Sequence, residues 1–136
     1  MKAAIHHIGV VVEDLHATRT FLERVLGFEL VETRSFPESL IDTAYLFLGE
    51  GTQIELVALG DPVARAERLG SEGPARIEHI ALEVDDVEAV RVALRERGVE
   101  MQTDEPVLSG NTRAFFTRAN TSQGIVFQFL DRNSRT

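Results

Sequence analysis

The chain carries a duplicate of part of itself. Residues 7–24 set over residues 79–96 place His7, Ile8, Val12, Asp14, Ala17, Arg19 and Leu22 on His79, Ile80, Val84, Asp86, Ala89, Arg91 and Leu94. That is seven identities in eighteen positions, with Glu13 over Asp85 conservative. Gly27 and Gly98 follow at nearly the same offset. A repeat of this kind makes each half one supersecondary unit and restricts the chain to folds that use that unit twice.

Each unit reads in the same order. Ile5–Val12 and Ile77–Val84 are apolar runs rich in β-branched residues and predict strands. Asp14 and Asp86 then stand where a carboxylate caps the unpaired N–H groups of a following helix. Phe21, Leu22, Val25 and Leu26 form an apolar stripe at helical spacing, as do Val87, Val90, Ala93 and Leu94. Gly27 and Gly98 end these helices. Three further strands are expected at about 29–34, 43–48 and 52–59 in the first unit, with Gly49-Glu50-Gly51 as a tight turn. In the second they are expected at about 100–103, 112–118 and 124–130. Asp61, Pro62 and Gly70 mark a short helix in the connection. The expected architecture is α+β: one domain over residues 1–136, built of two βαβββ modules. Module one covers about 4–59, a linker about 60–75, and module two about 76–131. Together they form a curved mixed sheet with the helices outside.

Composition narrows the function. The 136 residues are 43% hydrophobic, enough for a core, and carry a net charge of −8, which argues against nucleic-acid or anionic-membrane binding. Cysteine is absent, so disulfides, thiolate metal sites and cysteine nucleophiles are excluded. No apolar run has the length of a membrane span and no secretory signal pattern opens the chain, so a cytoplasmic location is expected.

Alternation along the strands singles out four polar residues. In the first strand Ile8, Val10 and Val12 share a face and His7 points the other way; in the fifth, His79 is opposed to Ile80, Leu82 and Val84. In the last strand of each module Glu55 and Gln128 are opposed to their apolar neighbours in the same manner. Two imidazoles, one carboxylate and one amide oxygen at matching places of a repeat are a donor set for one divalent first-row cation, with Zn, Ni, Co, Mn and Fe all admissible. His6 and His16 fall outside this pattern.

The strings His7-Ile8-Gly9-Val10-Val11-Val12-Glu13-Asp14-Leu15, Ile54-Glu55-Leu56 and Glu78-His79-Ile80-Ala81-Leu82-Glu83-Val84-Asp85-Asp86-Val87 resemble the vicinal oxygen chelate superfamily. That superfamily includes glyoxalase I, methylmalonyl-CoA epimerase, extradiol dioxygenases, fosfomycin-modifying enzymes and bleomycin-binding proteins. Phe36-Pro37-Glu38-Ser39, Ala44-Tyr45-Leu46, the stretch from Leu59 to Gly73 and Arg113 are most similar to the epimerases. The resemblance implies a divalent metal on His7, Glu55, His79 and Gln128, a small-molecule substrate and a homodimer. It also implies an isomerase that takes a proton next to a thioester carbonyl, with Glu38 as base. The chemistry of such a site offers Glu55 as a second base, and Tyr45 and Arg113 are the expected substrate contacts. One departure stands out: the epimerases and glyoxalase I usually carry Glu at the position of Gln128, and an amide cannot accept a proton at neutral pH. A glyoxalase I-type lyase, an extradiol-type dioxygenase and a metal-free drug-binding protein are the competing expectations. The intact His7, Glu55 and His79 set and the low aromatic content, 7% with no tryptophan, count against the last.

Overall fold

The structure is a computed structural model that describes residues 1–132. It divides into two compact units. One is His7–Glu78, and the other gathers Met1–His6 with the chain from His79 onward.

In the first unit β1 (Ala4–Val12) leads into α1 (Leu15–Thr20), which widens into a π turn over Phe21–Val25 before β2 (Glu29–Phe36), β3 (Ile41–Gly49) and β4 (Thr52–Leu59). The sheet order is β2-β3-β4-β1; β1 and β4 are parallel and the other pairs antiparallel. Asp14 caps α1 by accepting from the Ala17 N–H at 3.0 Å. Val12, Leu22, Ala44, Leu46 and Leu56 form the core between sheet and helix. The opposite face is partly covered as well. There α2 (Pro62–Arg68), capped by Asp61 with Pro62 in its first turn, packs Ala64 and the following Leu69 on Val11, Val57, Leu59 and Ile41. The connecting segment thus belongs to this unit's core, which alternation within the strands alone does not reveal.

β5 (Ala75–Glu83) begins in the first unit and from His79 belongs to the second, where α3 (Val87–Arg95), β6 (Val107–Ser109), β7 (Thr112–Phe116) and β8 (Val126–Arg132) follow. The order β5-β8-β7-β6 has β5 and β8 parallel, as in the first unit. Asp86 caps α3 by accepting from Glu88 and Ala89. Val84, Val87, Phe115 and Phe129 form the core beneath α3. The strand expected at 100–103 shrinks to a single bridge between Met101 and Thr117. Its continuation meets the acidic pair Asp104-Glu105 and then Pro106, which has no N–H to give a ladder. The pairing strand β6 therefore begins only after Pro106. Among the described residues no helix is long and apolar enough to cross a membrane.

Asp131 ties this unit together. It is buried on β8, accepts from the Val87 N–H at the start of α3 at 2.8 Å, and takes both Arg113 donors at 3.0 and 2.7 Å. Asp131→Ala should destabilise the protein by about 1–3 kcal/mol, because it leaves the buried Val87 N–H without an acceptor. Urea unfolding measures this, and an unchanged midpoint would show that the carboxylate contributes nothing.

Candidate functional site

Strand register builds the polar cluster of the first unit. In the parallel β1/β4 pair His7 stands opposite Gln53, so Glu55 lies two residues further along. In the antiparallel β3/β4 pair Tyr45 stands directly opposite Glu55. All three side chains share the face away from α1. His7 is buried, and its Nε2 lies 3.5 Å from Glu55 Oε1. The Tyr45 hydroxyl donates to the other carboxylate oxygen, Oε2, at 2.5 Å. The phenol ring meets the His7 ring edge-on, with centroids 5.7 Å apart, and the Arg34 guanidinium lies over the phenol ring at 5.9 Å from its centroid.

A separation of 3.5 Å is long for a hydrogen bond but suits two donors of one cation. Ligand atoms at ~2.1 Å from a tetrahedral ion stand ~3.4 Å apart. His7 and Glu55 thus have the donor chemistry and the spacing of neighbouring metal ligands. Burial pushes the Tyr45 hydroxyl well above the ordinary tyrosine range, and the negative charge and hydrogen bond of Glu55 add to the shift. Arg68, on the last turn of α2, is held by Glu78 through two bonds of 2.7 Å. The hydrogen bond to Glu78 raises its pKa, and the charge of Glu55 adds to that.

The second unit repeats the arrangement with different chemistry. His79 is buried and stands opposite Val126 in the parallel β5/β8 pair, so Gln128 lies two residues further along. Phe116 stands opposite Gln128 on β7 and meets the His79 ring edge-on at 5.6 Å. Histidine, oxygen-bearing residue and aromatic ring recur at the same places of the two units.

The other predicted residues fall elsewhere. Glu38 is exposed in the turn between β2 and β3. Arg113, expected as a substrate contact, is engaged within its own unit by Asp131, with Asp86 at 3.7 Å. The hydrogen bond to Asp131 is the main cause of its raised pKa. His16 is exposed. Two features escaped the sequence reading. The Tyr45–Glu55 bond was accessible in principle, from alternation plus the tight turn that sets the hairpin register. The Arg68–Glu78 pair joins α2 to β5 and leaves no periodic signal.

A family profile described as the Glyoxalase/Bleomycin resistance protein/Dioxygenase superfamily matches residues 6–116. The chain is 29% identical over 130 residues to "Uncharacterized protein YwbC" of Bacillus subtilis, a match covering 93% of this chain and 98% of that protein. It is 29% identical over 102 residues to the mitochondrial methylmalonyl-CoA epimerase of Bos taurus, covering 74% of this chain and 58% of that protein. A solved structure of a Se-Met methylmalonyl-CoA epimerase superposes with a TM-score of 0.79 at 25% identity, covering 94% of both chains. The fold is that of the epimerase structure.

The raised Tyr45 pKa has a measurable consequence, because this is the chain's one tyrosine. A proton held more tightly in the folded state than in the unfolded one, where it leaves near pH ~10, contributes stability that is fully present below that pH. The contribution is lost as the pH rises through and beyond ~10. Alkaline titration of the ultraviolet absorbance should therefore show no tyrosinate until the protein unfolds. A native-state midpoint near ~10 would show that the phenol is neither buried nor held by Glu55.

Proposed function

Since the chain belongs to the Glyoxalase/Bleomycin resistance protein/Dioxygenase superfamily, we propose that it is a divalent-metal-dependent enzyme that removes and returns a proton next to the carbonyl of a small acyl thioester. The observation that carries this reading is the His7–Glu55 pair at ligand spacing, matched by His79 and Gln128 at the same register of the second unit. In this reading His7, Glu55, His79 and Gln128 hold the cation. Two imidazoles, a carboxylate and an amide oxygen suit Zn, Ni, Co, Mn or Fe. Bound there, a divalent cation supplies Lewis-acid polarisation of the substrate carbonyl. The thioester substrate class is supported by the names of the epimerase relatives, which match over part of their length.

The chain's own residues would do the rest. His7, buried with its ring fixed edge-on by Tyr45, offers Nε2 in one direction only. Gln128 contributes an uncharged oxygen, so the set carries a single negative charge and leaves the net charge of a divalent centre positive. The proton acceptor is a carboxylate, and Glu55 and Glu38 are the two assigned to it. A homodimer is part of the same proposal, with the exposed Phe21, Val25 and Leu26 of the π turn among the apolar groups available for covering. Sedimentation as a monomer at micromolar concentration would remove the dimer.

Elemental analysis of untagged protein should give about one divalent cation per chain. The metal-loaded protein should exchange solvent deuterium into a 2-methyl-branched acyl thioester, and absence of exchange at full metal loading would overturn the reading. Glu55→Gln should lose metal and exchange together. Glu38→Gln should keep its metal: loss of exchange in that variant assigns the acceptor to the turn, and retained exchange assigns it to Glu55.

A further inference from the structure

Resting on the metal reading above, we infer that Tyr45 is the positioning residue that makes Glu55 a one-oxygen ligand and aligns His7 beside it. A carboxylate has two equivalent oxygens and can bind a cation through either or both, so a defined geometry needs one of them occupied. The Tyr45 hydroxyl occupies Oε2 at 2.5 Å, and Oε1 is the oxygen that faces His7 Nε2 at 3.5 Å. The same ring packs on the His7 imidazole at 5.7 Å, with planes 89° apart, so one side chain fixes both donors. A metal ligand held by a second hydrogen bond in this way is a recurrent means of setting its orientation.

The other half of the chain supplies an internal comparison. Phe116 repeats the ring contact, at 5.6 Å and 82° on His79, and lies opposite Gln128 as Tyr45 lies opposite Glu55. What it lacks is the hydroxyl. An amide has one oxygen to give, its nitrogen being a donor of hydrogen bonds, and needs no group to choose between two. The hydroxyl is present where the facing residue is a carboxylate and absent where it is an amide. Ring packing alone would be served equally by phenylalanine at both places.

With one tyrosine and no tryptophan, the near-ultraviolet tyrosine band of the protein reports on Tyr45 alone. Apo-protein titrated with Co²⁺ should show that band shifting in step with the visible cobalt absorption, because the cation draws charge from the carboxylate that the phenol holds. Tyr45→Phe keeps the ring and removes the hydroxyl. Its Co²⁺ dissociation constant should rise ~10-fold or more, and its cobalt spectrum should change as Glu55 gains a second coordinating oxygen. Wild-type affinity and an unchanged spectrum in Tyr45→Phe would overturn the inference while leaving the metal reading intact. So would Co²⁺ binding by the wild type with no response of the tyrosine band, a result that does not depend on the variant folding. Failure of the wild type to bind Co²⁺ at all would overturn the metal reading and this inference with it.

Discussion

In each half of this protein the first and fourth strands run side by side in the same direction, so their residues advance together along one face. His7 and Glu55, like His79 and Gln128, are separated by the same step of that parallel register. In both halves the same parallel register therefore gives the same offset between histidine and oxygen-bearing residue. The third strand then brings an aromatic residue opposite the oxygen donor and onto the histidine ring. Every feature of the polar cluster in a unit follows from these two pairings, with the helix cores on the far face holding the sheet in place.

Much of this was legible because its signals are local or periodic. The repeat, the alternation that turns His7 and His79 away from their helices, and the caps Asp14, Asp61 and Asp86 all depend on residues a few positions apart. What was hidden depends on packing between distant segments. Leu69 follows α2, outside any strand whose alternation would reveal a face, yet it fills the sheet face on which His7 also stands. Arg113 is expected as a substrate contact, and Asp131, eighteen residues on, takes its guanidinium and makes it part of the frame around α3. The stretch at 100–103 has strand composition, and the proline that follows it decides that only one bridge forms. In the first helix the stripe Phe21, Leu22, Val25 and Leu26 predicts regular α geometry; the π turn found there buries Leu22 and leaves the other three exposed.

The two halves have also diverged in a correlated way. Glu faces Tyr in one and Gln faces Phe in the other, so a charge and the hydroxyl that restrains it occur together. A carboxylate can accept a proton at neutral pH and an amide cannot, so the two residues differ in basicity.

The turn joining β3 to β4 runs Gly49-Glu50-Gly51 with φ of 107°, 52° and 81°, and the pairing slips by one residue between Phe47 and Gly49 before it settles into the register that sets Tyr45 against Glu55. Such a turn works as a counter with a step of two. Gaining or losing a single residue there would reverse which way every later side chain of β4 points, burying Glu55 against the helix and exposing Leu56 in its place, unless a bulge absorbed the difference. Length in this hairpin is therefore free to change by pairs while parity is conserved, and the chemistry on β4 is protected by arithmetic as much as by the identity of its residues.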